Sequence, residues 1–192
     1  MTTIVAVEDE TGVTLGWDSL TTAGNSQYST QRSKVVVNGE VVFAVAGAVS
    51  VANVLEFMHV PPVDRADPRR WAVRVLMPAV RAALAGAGML EQRSGTSMMP
   101  NVLMVVVAGR LFDIGPDFSV DARAARFEAI GSGAQFALGA LHAAAGSPAE
   151  RVRAALRAAT ALDAYTGGPT HVAFVASPPE PDAYTVELQR AA

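Results

Sequence analysis

The chain contains no cysteine, only three histidines and a single lysine, Lys34, among fifteen basic residues that are otherwise arginine. The missing cysteine excludes a disulfide-stapled scaffold, a thiol nucleophile and any thiolate metal site. His59, His142 and His171 are scattered without metal-ligand spacing, so neither zinc nor a Ser-His-Asp triad is supported. Excess basic charge is also missing: the net charge is −3 and the isoelectric point about 5.6, which argues against a nucleic-acid partner. No apolar run approaches the roughly 20 residues of a transmembrane helix, and the first ten residues lack the basic region of a signal peptide. A cytoplasmic location without a membrane partner is expected.

What is present is apolar. Of 192 residues, 51% are hydrophobic and 17% charged, which excludes disorder and points to a large core or buried subunit contacts. The length suits one domain spanning 1–192. Apolar β-branched runs at 3–7 and 13–17 flank a polar turn with Gly12, predicting a β-hairpin. Runs at 34–37 and 41–46 flank Asn38-Gly39, a strong hairpin signal, and 102–107 and 110–114 flank Ala108-Gly109. Helices are expected over 51–58, stopped by Pro61-Pro62, and over 68–84. A loop covers 95–100, a strand 127–130, and two Ala-rich helices 134–145 and 148–162. The second of these opens on Ser147-Pro-Ala-Glu150, an N-cap serine, a proline at the first helical position and a capping-box glutamate. Strands at 171–176 and 184–188 close the chain. Clustered strands and clustered helices predict an α+β fold with antiparallel sheets.

The familiar catalytic motifs fail. Gly131-Ser-Gly is followed by neither the lysine of a phosphate-binding loop nor the pattern of a nucleophile elbow. A hydroxyl nucleophile with a base other than histidine is left, and an N-terminal threonine supplies both: its Oγ attacks and its own α-amine accepts the proton. That amine titrates near 7.7–8.0 in model peptides, so little tuning is required. Thr2 becomes such a terminus once Met1 is removed; many chains nevertheless begin Met-Thr without using it. A hairpin centred near Glu10 sets Thr2 opposite Asp18, at a facing Cβ separation of about 4.5–5.5 Å. Asp18 alone also reads as a turn-initiating aspartate before Ser19. Lys34 would stabilise an alkoxide-like Oγ and keep the amine neutral, a role that arginine fills poorly; a lone lysine is otherwise an accident of composition.

Thr2-Thr-Ile-Val-Ala-Val, Gly16-Trp-Asp18-Ser, Thr22-Ala-Gly-Asn25 and Lys34-Val resemble the opening of the bacterial HslV peptidase and the proteasome β-subunits. The resemblance continues through Ala44-Val-Ala-Gly47, Ala129-Ile-Gly-Ser-Gly133 and Asp163-Ala-Tyr-Thr-Gly-Gly168, in the family's order and close to its spacing. It implies an N-terminal-nucleophile hydrolase with a four-layer αββα sandwich: two antiparallel sheets between helix layers, assembled as a homo-oligomer into stacked rings. Thr2 then matches the nucleophile and base, Asp18 and Lys34 the charge pair, and Gly47 the N–H donor to the oxyanion. Ser132 matches the serine that hydrogen-bonds the terminal amine, although on local sequence it equally suits a helix N-cap. Asp163 and Thr166 match the pair that holds this serine. Thr22, Val45 and Val49 fall near an apolar specificity pocket. The carbonyls of Thr160, Asp163 and Thr166 match a structural sodium site, and no other cofactor is required. Polypeptide substrates and an ATPase unfoldase are the expected partners. The first helix is shorter than the family's, and Thr166-Gly-Gly is closer to the proteasome than to HslV. Two rival readings share this fold: an amidohydrolase of small amides, and a silent structural ring subunit that keeps Met1.

Overall fold

The computed structural model describes residues 2–29, 33–178 and 189–190. It opens with β1 (Thr3–Glu8) and β2 (Gly12–Asp18), the expected hairpin. Its register differs from the expected one by one residue. Asp9 Oδ1 accepts from the N–H groups of Thr11 and Gly12, closing a four-residue turn. The pairing therefore runs Ile4↔Trp17 through Glu8↔Val13, and Thr3 rather than Thr2 falls opposite Asp18.

A small ribbon follows, β3 (Leu20–Ala23) and β4 (Ser26–Ser29), in a stretch whose polar residues give little strand signal. The next hairpin is β5 (Val35–Asn38) and β6 (Val41–Ala46), turning at Gly39 with a φ of 60°. Helix α1 (Val49–Phe57) precedes the two prolines. The expected second helix is three consecutive segments: α2 (Pro68–Trp71), a π-helical stretch (Ala72–Leu76) and α3 (Met77–Gly86). Pro78 explains the π stretch. It has no N–H for the Arg74 carbonyl, and the N–H of Met77 reaches back to Ala72 O instead.

The expected loop over 95–100 is instead part of a short exposed hairpin, β7 (Glu91–Arg93) and β8 (Thr96–Met98). Ser94 and Gly95, both at positive φ, make its turn. Then come β9 (Val102–Val107) and β10 (Arg110–Ile114), joined through Ala108 and Gly109 at φ 49° and 70°. The hairpin is the expected one, and positive φ at both central residues is the signature of a type I′ turn. After β11 (Val120–Asp121) and β12 (Phe127–Gly131) come α4 (Ala134–Ala143) and α5 (Pro148–Leu162). Helix α5 has the predicted bounds and a complete Ser147/Glu150 capping box. Strand β13 (Thr170–Ala176) pairs with β2, and β14 (Gln189–Arg190) with β13. The strand expected at 184–188 lies outside the described residues, as does Met1.

The two larger sheets run β12-β1-β2-β13-β14 and β11-β10-β9-β6-β5, antiparallel throughout. Strands β1 and β6 are buried at every position. Their alternate side chains go to different clusters. Ile4 and Ala6 join Val42, Ala44 and Met104 in a cluster drawn from both sheets. Val5 and Val7 pack with Leu141, Val152 and Leu156 of α4 and α5. Phe43 and Val45 pack with Leu55, Leu76 and Leu84 of α1, the π stretch and α3. Strands covered on both faces need continuous apolar runs, which accounts for much of the 51% hydrophobic content. At one end of this stack Glu8 ties β1 to β10, accepting from Leu111 N–H and Arg110 Nε, each at 2.9 Å. No helix among the described residues is long and apolar enough to cross a membrane.

Candidate active site

Asp18 ends β2 fully buried, so it is no solvent-exposed turn residue. Among the described residues its carboxylate has four donors. Oδ1 accepts from Lys34 Nζ at 2.6 Å and from Thr3 N–H at 2.9 Å. Oδ2 accepts from Gly167 N–H at 3.1 Å and Leu20 N–H at 3.3 Å. A buried charge persists only when paired and hydrogen-bonded in this way. Lys34, just before β5, also donates to the Leu20 carbonyl at 2.7 Å. Burial pulls the Lys34 ammonium below its ordinary 10.5, while the hydrogen bond and charge of Asp18 draw it part of the way back. The one lysine of the chain thus sits in an environment that eases its loss of a proton.

Thr2 is buried and leads into β1. Its carbonyl accepts from Ser132 N–H at 2.8 Å, directly after β12. Gly131, at φ 100°, permits this approach, because a Cβ there would overlap the Thr2 carbonyl. The Ser132 hydroxyl donates to Asp163 Oδ2 at 2.7 Å and lies 3.4 Å from the Thr2 carbonyl oxygen. The N-cap reading of Ser132 fails: Gly133 occupies the cap of α4, without a side-chain bond.

Asp163 caps the C-terminus of α5 and gathers this side of the site. Burial disfavours its charge, yet hydrogen bonds from the hydroxyls of Thr166 and Ser132 and from Tyr165 N–H outweigh that and hold it below the ordinary 3.8. Thr166 Oγ1 lies 2.6 Å from Asp163 Oδ2 and 2.5 Å from Thr3 Oγ1, which in turn accepts Gly133 N–H at 3.1 Å. Thr3 was missed by sequence reasoning. The one-residue register error hid it, since the true register sets Thr3 beside Asp18.

Thr2, Lys34 and Gly47 share the wall of one cavity of about 360 Å³ with Thr21, Thr22 and Val45. Val49 and Ala52 of α1 complete its apolar side, so the three predicted pocket residues Thr22, Val45 and Val49 all line it. Gly47 follows β6 at a φ of 131°. Ser132, Asp163 and Thr166 stand behind Thr2, connected through its carbonyl, and are not part of that wall. Thr160 lines a different cavity, beside Arg153 and Thr170.

No group of acidic or histidine side chains among the described residues suits a metal ion. Backbone carbonyls are another matter. Thr160 lies in the last turn of α5, where carbonyls lack intrahelical partners, and oxygen donors of this kind suit a hard cation. The Asp163 carbonyl already accepts Thr166 N–H at 3.2 Å.

No family model matches this sequence, and neither does any curated protein. Solved structures do match. Thiobacillus denitrificans BPH superposes with a TM-score of 0.76 at 20% identity, covering 93% of this chain and 100% of that one. The same protein in complex with epoxomicin gives 0.75 at 19%, with the same coverage. Eukaryotic HslV from Trypanosoma brucei gives 0.61 at 23%, covering 89% of this chain and 97% of its own. Identities this low show a shared fold, and the α+β architecture is accordingly that of HslV and BPH.

Proposed function

We propose that this chain is a threonine-type endopeptidase subunit whose nucleophile is Thr2, exposed by removal of Met1. The observation that carries the reading is the shared cavity wall of Thr2, Lys34 and Gly47, backed by a buried Asp18 that holds both Lys34 and the Thr3 N–H. The neutral α-amine of Thr2 takes the proton from Oγ as Oγ attacks the scissile carbonyl carbon. The Lys34 ammonium, held by Asp18, favours the developing alkoxide. The Gly47 N–H donates to the oxyanion of the tetrahedral intermediate, a contribution of about 3–4 kcal/mol where such donors have been removed. As the intermediate collapses, the peptide C–N bond breaks and the new terminal ammonium of Thr2 returns its proton to the leaving amine. Water, deprotonated by the same amine, then attacks the acyl ester and frees Thr2 Oγ. Ser132, Asp163 and Thr166 fix the Thr2 carbonyl and so the position of that amine. Thr22, Val45 and Val49 receive an apolar substrate side chain.

The three apolar clusters support an αββα arrangement, one domain over 1–192, with α1 to α3 on one sheet and α4 and α5 on the other. Homo-oligomeric stacked rings in the cytoplasm, fed by an ATPase unfoldase, would confine chemistry this unselective. A sodium ion on the carbonyls of Thr160, Asp163 and Thr166 would be structural, and nothing in the reaction depends on it. That one structural neighbour was solved with epoxomicin makes that compound a suitable probe.

The test joins intact mass spectrometry with cleavage of a fluorogenic peptide. Loss of Met1, turnover by the processed protein, and its abolition in Thr2→Ala are expected. Activity that survives Thr2→Ala overturns the mechanism. Retained Met1 without turnover leaves a structural ring subunit, and a small oligomer by native mass that cleaves only small amides leaves an amidohydrolase.

A further inference from the structure

The β6–β9 ladder ends at Ala46↔Val102, so one step further along the register Gly47 faces Asn101. Asn101 is 2% exposed. Its Nδ2 donates to the Ala48 carbonyl at 3.2 Å, alongside Val51 N–H, which reaches the same carbonyl at 3.2 Å from the first turn of α1. Its amide also fills the space that a side chain on Gly47 would need, for a Cβ there would lie 2.6 Å from Nδ2 and 2.8 Å from Cγ. The segment is therefore held at two points, at the Ala48 carbonyl by the Asn101 hydrogen bond and at the Gly47 Cα by the Asn101 amide packed against it.

The arrangement carries a cost. Asn101 Oδ1 is buried and, among the described residues, has no hydrogen-bond partner. A buried polar atom left unpaired disfavours folding, and an apolar side chain of similar size would spare the chain this. Stability alone gives no reason for an asparagine at this position, whereas restraint of the backbone at Gly47 and Ala48 does.

We infer that Asn101 is a positioning residue: it fixes the orientation of the Gly47–Ala48 backbone and thereby aims the Gly47 N–H into the cavity. This rests on the proposed peptidase reading for its catalytic consequence, though not for its structural one. A preorganised donor acts on the transition state rather than on the bound substrate, so its misalignment lowers kcat and leaves KM in place.

The experiment uses the processed, assembled protein with Asn101→Val and Asn101→Asp. Asn101→Val removes both the bond and the unpaired oxygen; Asn101→Asp keeps the shape and turns an acceptor toward the Ala48 carbonyl. Both variants are expected to lose about tenfold in kcat on a fluorogenic peptide, with KM within about twofold. Amide hydrogen exchange at Val51, whose acceptor is the Ala48 carbonyl, is expected to quicken about tenfold, with β1 and α5 unchanged. Unchanged exchange at Val51 overturns the inference, as does an unchanged kcat, a rise in KM alone, or failure of both variants to fold. If the unsubstituted protein cleaves no peptide after Met1 is removed, the peptidase reading fails by itself, and the exchange result alone decides the role of Asn101.

Discussion

The hydroxyl of Thr3, the first residue of β1, lies 2.5 Å from that of Thr166, and both residues are buried. The direction of this contact follows from its neighbours. Asp163 is held charged and can only accept, so Thr166 donates to it at 2.6 Å. The Thr3 proton must then go to Thr166, while Gly133 N–H donates to Thr3 at 3.1 Å. Each of the two hydroxyls donates once and accepts once, and the row links β1, α4 and the end of α5.

Thr166→Val removes the middle member and leaves the Thr3 hydroxyl proton without its acceptor. The expected loss of stability is about 1–3 kcal/mol, the range for an orphaned buried polar group. Thr166→Ser keeps the oxygen and should lose much less. Urea midpoints of the three proteins check this, and equal midpoints for Val and Ser would dismiss the row.

The same carboxylate predicts an acid limit. Its native pKa lies below the ordinary 3.8, so the folded protein binds its proton less readily than the unfolded chain. The resulting stabilisation is present above 3.8 and disappears as the pH falls through that value toward the lower native one. Asp163→Asn should be less stable at neutral pH and should show a shallower loss between pH 5 and 3. Denaturation midpoints across that range decide it, and parallel curves would contradict the assignment.

Much of this arrangement is written in local chemistry. The capping box sets the start of α5, and Asn38-Gly39 and Ala108-Gly109 mark their hairpins, because each signal lies within four residues of its effect. The lone lysine and Asp18 are legible as a pair, and they do meet. Register is a different matter. It depends on whether the Asp9 turn holds three residues or four, a difference set by one carboxylate, and one residue's slip exchanged Thr3 for Thr2 beside Asp18. Asn101 gave no signal, since its importance lies in facing Gly47 across a strand pair more than fifty residues apart in sequence. Short polar hairpins such as β3–β4 and β7–β8 lack the apolar alternation that announces a strand.

Lys34 predicts the alkaline side of activity. Burial holds its pKa below 10.5 and Asp18 raises it. Below its native value the folded protein carries the ammonium at a cost to stability, which is relieved as the pH climbs toward 10.5. If the ammonium is required, the alkaline limb of the kcat profile begins below the ordinary lysine range. Asp18→Asn removes the raising influence and should move that limb to lower pH. It should also destabilise the fold by about 3–5 kcal/mol, as breaking a buried pair does. Lys34→Arg keeps the charge but cannot titrate in this range, so its residual activity should show no such limb. A limb unmoved in Asp18→Asn would remove Lys34 from the chemistry.

The cavity beside Thr2 offers a size test. Ala52, buried on α1 and one turn beyond Val49, is part of its apolar lining. Leucine there would extend into a space of about 360 Å³ that the small alanine leaves open. A hydrophobic pocket discriminates by about 1–3 kcal/mol for each methylene gained or lost. Ala52→Leu should therefore lower kcat/KM for peptides with a large apolar residue before the scissile bond by about tenfold or more relative to those with alanine. Because the Ala52 side chain is a methyl group with no part in the proposed chemistry, cleavage of the alanine peptide should stay near its original rate. Equal losses on both peptides would mean that the cavity does not hold the substrate side chain.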